Sequence, residues 1–375
     1  MSSDVIVIGG GIAGLATAHE LIRSGASVTI LERSRCGLEA SWAGAGILSP
    51  LLPWDYPQSV ARLAQLSNSL FPEFIEALTT ETGIDPEYQA SGMLVLPELL
   101  PESSGDAKGL RQDARNQMAE DWCGRNAFPM TRVRSREIAR ALARDQEAFW
   151  LPGVCQVRNP RLLQALIRAV NLAGGKIVEH TAVAGLRVER GRTQSISTSQ
   201  GDEYSADHYI VAAGPWSRQL LGEHALKLDI WPVRGQILLF KAQPGLLDTI
   251  LLQEWDYFYL IPRHDGHILA GSTLEEAGFD KSPTTEARQI LLAKAHALVP
   301  ALTEETVSGH WAGLRPGSPA NIPVIDRHPS ISNLYLNSGH YRYGVTMAPG
   351  SARLLSNIIL DKPQPVDVTP YQWPR

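Results

Sequence analysis

The sequence predicts an α/β protein of two domains, one built on a parallel sheet and the other on a large antiparallel sheet. Its 375 residues correspond to about two domains at roughly 100–200 residues each. Near the N-terminus, a strand, a glycine-rich turn, a helix and a second strand follow one another, which is the order of a parallel βαβ unit. From residue 230 to residue 273, strand patterns alternate with short turns, which is typical of an antiparallel sheet.

Composition and charge argue against several classes of protein. Hydrophobic residues make up 44% and charged residues 19% of the chain, which is the balance of a folded protein and not of a disordered one. The net charge of -5 disfavours nucleic acid as a partner. No apolar run approaches the ~18–20 residues of a membrane span. The 3 cysteines form no C-x-x-C pair, so we expect neither a disulfide framework nor a zinc knuckle.

The N-terminal segment predicts a βαβ unit. Val5 to Ile8 is a β-branched run bounded by glycine, which is typical of a strand buried on both faces. The apolar spacing predicts a helix from Ile12 that stops at Gly25, and a second strand up to Leu31. Asp4 precedes this segment where a signal peptide would carry basic residues, so we expect a folded, cytoplasmic protein.

The remaining chain alternates between the two types of element. We expect helices at 60–78, 134–149, 162–170 and 349–360, and strands at 176–188, 209–213, 236–240, 257–261 and 267–271. Asp265-Gly266, between the last two strands, is a strong hairpin signal. We therefore assign residues 1–85, 155–225 and 325–375 to a discontinuous nucleotide-binding domain, and residues 86–154 and 226–324 to a substrate-binding domain.

The glycines after the first strand predict a dinucleotide site. The run from Gly9 to Gly14 fits G-x-G-x-x-G between a strand and a helix. Gly9 permits the tight turn, Gly11 lets backbone amides approach a pyrophosphate, and Gly14 lets the helix pack against the strand. Glu32, after the second strand, can accept hydrogen bonds from a ribose diol and would repel a 2′-phosphate. An adenosine without that phosphate is therefore favoured over NADP.

Three further segments bear on which dinucleotide binds. The small residues from Ala40 to Leu48 leave room for a flat ring close to the backbone. Two other segments, 209–217 with Gly214 and 337–344, could converge on the same ligand. A dehydrogenase that uses NAD would be expected to supply a second α/β unit soon after the first. FAD is therefore favoured, while a NAD-linked reductase and a non-catalytic FAD-binding module stay open as alternatives.

Two arginines are candidates for binding a substrate carboxylate. They are Arg315, in the sequence G-L-R-P, and Arg342, in the sequence G-H-Y-R. Only arginine offers a planar fork that pairs a carboxylate through two bonds and stays charged when buried. From residue type alone, an ordinary structural ion pair with a carboxylate such as Asp326 is the better explanation.

Aromatic residues alternate at Trp255, Tyr257 and Tyr259. On one strand, all three would share a face. Core packing is the usual explanation, but the two hydroxyl groups suit a face that lines a polar ligand. His264 and His267 flank the predicted hairpin without further ligands, so we expect no metal site.

Six motifs occur in a fixed order along nearly the whole chain, from about residue 4 to residue 360. They are V-I-V-I-G-G-G-I-A-G-L, A-S-W-A-G-A-G-I-L, V-A-A-G-P-W-S, W-P-V-R-G-Q, W-A-G-L-R-P-G and G-H-Y-R-Y-G. Together they resemble the D-amino-acid-oxidase-type family of flavoenzymes, and within it the glycine oxidases most closely. The resemblance implies a Rossmann-type FAD-binding domain and a substrate domain centred on an antiparallel sheet. Because the late cysteine to which sarcosine oxidases attach flavin is missing, it also implies FAD held without a covalent bond.

The resemblance places cofactor contacts in several segments. The residues expected against FAD are Ile12, Ala13, Glu32, Arg33, Ala40, Ser41, Gly46, Ile47 and Leu48, with the backbone of Val183 at the adenine and His340, Tyr341, Arg342, Tyr343, Gly344, Val345 and Thr346 over the flavin ring. The helix expected from residue 349 would direct its N-terminus at that ring.

The resemblance also assigns roles at the substrate. It gives Arg315 the binding of the substrate carboxylate, with help from Tyr259, and places Arg342 beside substrate and flavin. Trp255, Tyr257 and Leu274 are expected to line the substrate pocket. The chain departs from the usual glycine oxidase residues at three positions, which are Tyr257 for histidine, Leu274 for methionine and Tyr343 for asparagine.

The implied reaction is oxidative deamination of glycine or another small amino acid. It gives an imino acid, which water hydrolyses to a keto acid (glyoxylate from glycine) and ammonia, while dioxygen is reduced to hydrogen peroxide. A role in thiamine thiazole synthesis is implied in the same way. A D-amino-acid or N-alkylglycine oxidase, and a dehydrogenase with another electron acceptor, stay open as alternatives. The sequence leaves the oligomeric state open, a homo-oligomer included.

Overall fold

A six-stranded sheet contains the N-terminal βαβ unit. The computed structural model describes residues 3–97 and 106–374. In sheet order, the six strands are β18 (Val324–Arg327), β19 (Leu334–Ser338), β12 (Ala206–Val211), β1 (Ser3–Ile8), β2 (Val28–Leu31) and β8 (Lys176–Val178). Neighbouring strands run parallel, except that β18 is antiparallel to β19.

The side chains of β1 alternate between two hydrophobic cores, as they must in a strand covered on both faces. Val5 and Val7 pack in the core formed with the helices on one face, whereas Ile6 and Ile8 pack on the other face. The helices of the first core are α1 (Ile12–Arg23), α3 (Gln58–Thr82), α6 (Asn159–Leu172) and α9 (Gly344–Ile359). The opposite face is covered by an antiparallel sheet of β9 (Val183–Glu189), β10 (Arg192–Thr198) and β11 (Glu203–Tyr204).

A mostly antiparallel sheet of eight strands forms the second large layer. In sheet order, the strands are β17 (Val307–Gly317), β13 (Trp231–Lys241), β16 (His267–Gly271), β15 (Tyr259–Pro262), β14 (Ile250–Gln253), β4 (Met93–Leu96), β6 (Glu147–Leu151) and β5 (Thr131–Arg134). Its one parallel pairing joins β14 to β4. Helix α8 (Thr285–Leu298) packs on one face of this sheet through Leu291.

Shorter elements connect these layers. They are α2 (Ala40–Ala43), β3 (Gln89–Ala90), α4 (Asp106–Arg125), α5 (Ser135–Ile138), β7 (Cys155–Gln156) and α7 (Ser217–Leu221). Every helix within the described ranges is too short or too polar to cross a lipid bilayer.

The predicted fold class is confirmed, and two predicted helices need correction. Residues 134–149 are not one helix, because they contain the end of β5, the short α5 and the start of β6. The mixed charges there belong to a hairpin, in which Arg134 Nη2 lies 2.8 Å from Asp145 Oδ2. The last helix begins at Gly344 and not near Pro349, which lies inside it. The division into two discontinuous domains stays a prediction.

Candidate active site

A cavity of about 460 Å³ lies between the two large sheets. Its volume is within the range of about 300–1,000 Å³ that is common for small-molecule and cofactor sites. Most of the residues predicted to bind cofactor or carboxylate line it. They are Gly9, Gly11, Ile12, Ala13, Glu32, Arg33, Ala40, Ser41, Gly46, Ile47, Val183, Gly214, Tyr259, Arg315, His340, Tyr341, Arg342, Tyr343, Gly344, Val345 and Thr346. Gly14, Leu48, Trp255, Tyr257 and Leu274 are not part of the lining.

The turn after β1 is shaped by glycines. Gly9 has a φ of +114°, a conformation that residues with a side chain rarely adopt. A Cβ on Gly14 would overlap the carbonyl oxygen of Gly9, so only glycine lets α1 pack this closely against the turn. The backbone around Gly11 therefore borders the cavity without an intervening side chain.

The N-terminus of α1 meets the same part of the cavity. Its first turn carries no acidic residue, and Gly11, at the N-cap position, provides no side-chain hydrogen bond. The amide of Ile12 donates to Ser41 Oγ at 2.9 Å. The partial positive charge of this helix end suits an anionic group such as a pyrophosphate.

Glu32 is held at one end of the cavity. It is only 8% exposed, and Gly10 N donates to its Oε2 at 2.8 Å, while Ser34 N donates to its Oε1 at 2.9 Å. A carboxylate has about four acceptor positions, so others remain for a ribose diol. These two hydrogen bonds fix the carboxylate beside the glycine turn.

Arg33 and Trp216 stack on each other at the same end. The Arg33 guanidinium lies 3.5 Å from the centroid of the Trp216 ring. Arg33 Nη2 also lies 2.8 Å from Glu39 Oε1. Sequence reasoning did not select Trp216, although it stands in the V-A-A-G-P-W-S motif.

A second helix N-terminus borders the cavity. Because α9 begins at Gly344, its first turn consists of cavity-lining residues and not of the segment near Pro349. This turn has no acidic residue and no side-chain cap. Thr346 Oγ1 donates to the carbonyl of Ile47 at 2.9 Å, which joins α9 to the loop after α2.

His340 is a neutral histidine in the cavity wall. It is buried, and burial lowers its pKa to about 4. Its Nε2 atom has no hydrogen-bond partner within the described part of the chain. An orphaned polar atom of this kind fits a site whose ligand would supply the partner.

Arg315 provides a cation at the opposite end of the cavity from Glu32. Its Nη2 donates to Ser272 Oγ at 2.7 Å, and its Nη1 donates to the carbonyl of Thr273 at 3.2 Å. No carboxylate among the described residues pairs with it; Asp326 instead accepts from the amide of Trp373 at 2.9 Å. Burial lowers the pKa of Arg315, because water that would solvate the charge is excluded.

Gly235 and Ser272 are functional neighbours of Arg315 that sequence reasoning missed. A Cβ on Gly235 would overlap the guanidinium of Arg315, and Ser272 also lines the cavity. For Gly235, the signal in the sequence is that it is the glycine of the W-P-V-R-G-Q motif. The position of Ser272 depends on how β16 ends beside β13, which no local pattern reveals.

Arg342 is a second cation at this end. Its guanidinium lies 5.2 Å from the ring centroid of Tyr257 and 5.8 Å from that of Tyr341. In residues 3–97 and 106–374, no carboxylate forms an ion pair with Arg342. Two guanidinium groups without acidic partners make this end of the cavity suitable for an anion.

The predicted aromatic face is wrong. Strand β15 begins only at Tyr259, and the chain turns before it, where Tyr257 has a φ of +55°. Trp255 is 45% exposed outside the cavity. The Tyr257 hydroxyl donates to Asp55 Oδ2 at 2.7 Å, so Tyr257 contributes to the site only through its ring beside Arg342.

Leu274, predicted to line the substrate pocket, is not part of the cavity lining, and its role at the substrate stays a prediction. Its side chain is 54% exposed, in the segment that follows β16. The carboxylate of its neighbour Glu275 lies 2.6 Å from Arg234 Nη2, which fixes the backbone beside Leu274. For the other predicted site residues, the structure gives positions, and their roles stay predictions.

The charges divide the cavity into two chemical parts. The carboxylates that line it within the described residues, Glu32 and Glu39, lie at the end with the glycine turn, whereas Arg315 and Arg342 lie at the other. No group of three or more His, Cys, Asp or Glu side chains in this part of the chain is placed to hold a metal ion. The residues present fit a dinucleotide along the glycine turn and a small anion at the two arginines.

Comparisons with known proteins agree with this geometry. The family model of FAD dependent oxidoreductases, named DAO, matches residues 4–358. Glycine oxidase of Pseudomonas aeruginosa is 41% identical over 377 residues, covering 99% of this chain and 98% of that protein. A bifunctional ThiO/ThiG protein of Synechocystis is 32% identical over 96% of this chain and 52% of its own length. The crystal structure of glycine oxidase from Geobacillus kaustophilus matches with a TM-score of 0.92, at 27% identity, over 100% of this chain and 99% of that one.

Proposed function

The chain belongs to the DAO family of FAD-dependent oxidoreductases, and from this premise we propose that it oxidatively deaminates glycine or another small amino acid with dioxygen as electron acceptor. The observation that carries the proposal is Arg315, a partly buried guanidinium that faces the cavity without a carboxylate partner in the described residues. The 41% identity to a glycine oxidase over nearly the whole chain supports the same substrate class.

FAD fits the residues of the cavity. Gly9 and Gly11, with the N-terminus of α1, would hold the pyrophosphate, and Glu32 would hold the adjoining ribose. The first turn of α9, beginning at Gly344, would face the flavin. When bound, FAD supplies the acceptance of a hydride from the substrate and the transfer of its electrons to dioxygen.

Arg315 would orient the substrate through its carboxylate. The contacts with Ser272 and Thr273 engage some of its five N–H donors, and the others remain for the substrate. A bidentate pair fixes both position and direction, which places the α-carbon in a defined way. Arg342 adds a second positive charge at the same end.

The substrate amine must reach the site without its extra proton. No carboxylate lines the arginine end within the described residues, and His340 is neutral at physiological pH because burial lowers its pKa to about 4. We find no general base in position there, so the neutral amine is the reactive form. The value of kcat/KM should therefore rise with pH until the amine is fully deprotonated.

A coupled assay tests the proposal. The purified protein, mixed with glycine in air, should produce hydrogen peroxide, ammonia and glyoxylate in equal amounts. Sarcosine, D-alanine and D-proline are assayed in parallel, because the substitutions at Tyr257, Tyr343 and Leu274 leave the preferred amine open. Absence of peroxide with every one of these amines would contradict the proposal.

A dehydrogenase is separated from an oxidase by the electron acceptor. An oxidase turns over in air without additions, whereas a dehydrogenase needs an artificial acceptor and gives no peroxide. Participation in thiamine thiazole synthesis is part of the proposal, and the likeness to the ThiO/ThiG protein supports it. A cytoplasmic location stays a prediction, and the oligomeric state stays open.

A further inference from the structure

Arg263 is a buried arginine outside the cavity wall, and we propose that it positions the cofactor-binding loop Ala45 to Ile47. The inference rests on the proposed function only in taking FAD as the ligand of the cavity. It concerns a residue at a turn of the eight-stranded sheet, and this residue is not part of the cavity lining.

The side chain of Arg263 comes from the hairpin between β15 and β16. The amide of Arg263 donates to the carbonyl of His267 at 2.7 Å, and the amide of Gly266 donates back to the carbonyl of Arg263 at 3.0 Å. This hairpin is the one that Asp265-Gly266 predicts, and its geometry turns Arg263 into the protein. Its exposed fraction is 7%.

The guanidinium binds three oxygen atoms from two segments. Nη1 donates to Gln156 Oε1 at 2.5 Å and to the carbonyl of Val157 at 3.0 Å. Nη2 donates to the carbonyl of Ala45 at 2.9 Å. A single planar fork therefore joins the loop after α2 to the segment before α6.

The same two segments are also paired through their backbones. The amide of Val157 donates to the carbonyl of Gly46, and the amide of Leu48 donates to the carbonyl of Cys155, both at 2.9 Å. Gly46 has a φ of +79°, and a Cβ there would overlap the carbonyl oxygen of Val157. Ala45, Gly46 and Ile47 line the cavity where FAD would bind.

Arg263 has no acidic partner that would explain its burial. No carboxylate in the described ranges forms an ion pair with it, and its Nε atom has no hydrogen-bond partner there. Burial lowers the pKa of Arg263 to about 10, yet it remains charged at neutral pH. Burying a charge without an ion partner costs free energy, and its three hydrogen bonds fix the geometry of the loop.

Arg158 offers a matched control. It joins the same hairpin to the same segment, since its Nη1 lies 2.9 Å from Asp265 Oδ2 and 3.1 Å from Glu87 Oε1. It is half-buried and makes no hydrogen bond to residues 45–47. Removing Arg158 therefore weakens the connection between the hairpin and the segment before α6 without releasing the loop.

The test measures FAD binding by proteins stripped of cofactor. FAD is titrated into wild type, Arg263→Met, Arg263→Lys and Arg158→Met, and the dissociation constant is read from flavin fluorescence. We expect Arg263→Met to raise the Kd for FAD by about tenfold or more, because the charge-assisted hydrogen bonds that join the loop to the segment before α6 are lost. Arg158→Met should stay within about threefold of wild type, since its pairs are largely on the surface.

A purely structural role would give a different pattern. It would lower the melting temperature of the cofactor-free Arg263→Met protein while leaving its Kd within about threefold of wild type, and that result would overturn the proposal. If Arg263→Met does not fold, Arg263→Lys decides, because lysine keeps the charge but loses the fork. An unchanged Kd in Arg263→Lys would overturn the proposal, and an increase would support it. Failure of the proposed function would look different, because then wild type itself would take up no FAD. Failure of the Arg263 proposal alone would leave FAD binding intact in wild type and in the variants.

Discussion

The guanidinium of Arg315 occupies the space in which a side chain on Gly235 would begin. The two residues lie on paired strands, β13 and β17, where Val233 is the direct partner of Arg315 and Gly235 that of Gly313. A Cβ on Gly235 would overlap Cζ and both Nη atoms of Arg315. The small size of Gly235 is therefore what admits a cation at the substrate end of the cavity.

Gly235→Ala should displace Arg315 and lower kcat/KM by about 100-fold, since a misplacement of about 1 Å can cost that much. Binding of FAD should change little, because the glycine turn after β1 is untouched. Steady-state kinetics and the flavin spectrum measure the two effects. Gly309→Ala is the matched control, because a Cβ there meets its nearest neighbour at an ordinary 3.5 Å. Equal kinetics in the two variants would contradict this explanation.

Arg315→Ala should lower kcat/KM by about 30-fold to several thousand-fold, or about 2–5 kcal/mol, because the substrate carboxylate loses its charged partner. Arg315→Lys should recover part of this loss, since it keeps the charge without the fork. Arg187→Ala, at an exposed arginine of β9, serves as the control for loss of one positive charge. If Arg315→Ala kept the wild-type kcat/KM for every amine that the enzyme oxidises, Arg315 would not be the residue that binds the substrate carboxylate.

The ring of Tyr257 lies beside the Arg342 guanidinium, whereas its hydroxyl donates to Asp55. Tyr257→Phe keeps the ring 5.2 Å from the guanidinium and loses only the hydroxyl contact, so its kcat/KM should stay close to wild type. Tyr257→Ala removes the cation–π contact, worth about 0.5–2 kcal/mol, and should lower kcat/KM by about 2- to 30-fold. The two variants are compared on glycine and on a larger D-amino acid. Identical kinetics of the Phe and Ala variants would show that the ring does not matter.

His340 should make the stability of the cofactor-free protein depend on pH. Its pKa is about 4 in the folded state, against an ordinary 6.5. Below pH 6.5, the unfolded chain binds a proton that the folded protein excludes, so the free energy of unfolding falls by about 3 kcal/mol as the pH approaches 4. Urea unfolding at pH 7 and pH 5 measures the first part of this loss, about 2 kcal/mol. In His340→Gln it should shrink, and a loss of equal size in that variant would contradict the prediction.

Local sequence patterns predict those parts of the fold and of the site that are determined by residues close together in the sequence. The glycine turn, the first helix and Glu32 lie within one βαβ unit, and the Asp265-Gly266 hairpin is set by its own turn. The turn that breaks the stripe at Trp255 and Tyr257 was missed, because it depends on how the ends of β14 and β15 pair.

Long-range packing explains the other errors. The helix predicted at 134–149 is replaced by a hairpin, since β6 pairs with β4 from a distant part of the chain. In the sequence, Arg263 is an ordinary turn residue, and its hydrogen bond to the carbonyl of Ala45, more than 200 positions away, has no local signal. Leu274 lies outside the cavity lining, next to Glu275, which accepts a hydrogen bond from Arg234. Neither this contact nor that of Arg263 produces a periodic pattern in the sequence.

Anaerobic mixing of the FAD-loaded protein with small amines tests the central claim most directly. The oxidised-flavin absorbance band should disappear with glycine or another small amino acid, and this loss should be about 30-fold slower or more in Arg315→Ala. A band that persists with every amine, or that bleaches equally fast in wild type and Arg315→Ala, would contradict the claim that Arg315 holds the substrate for oxidation in this cavity.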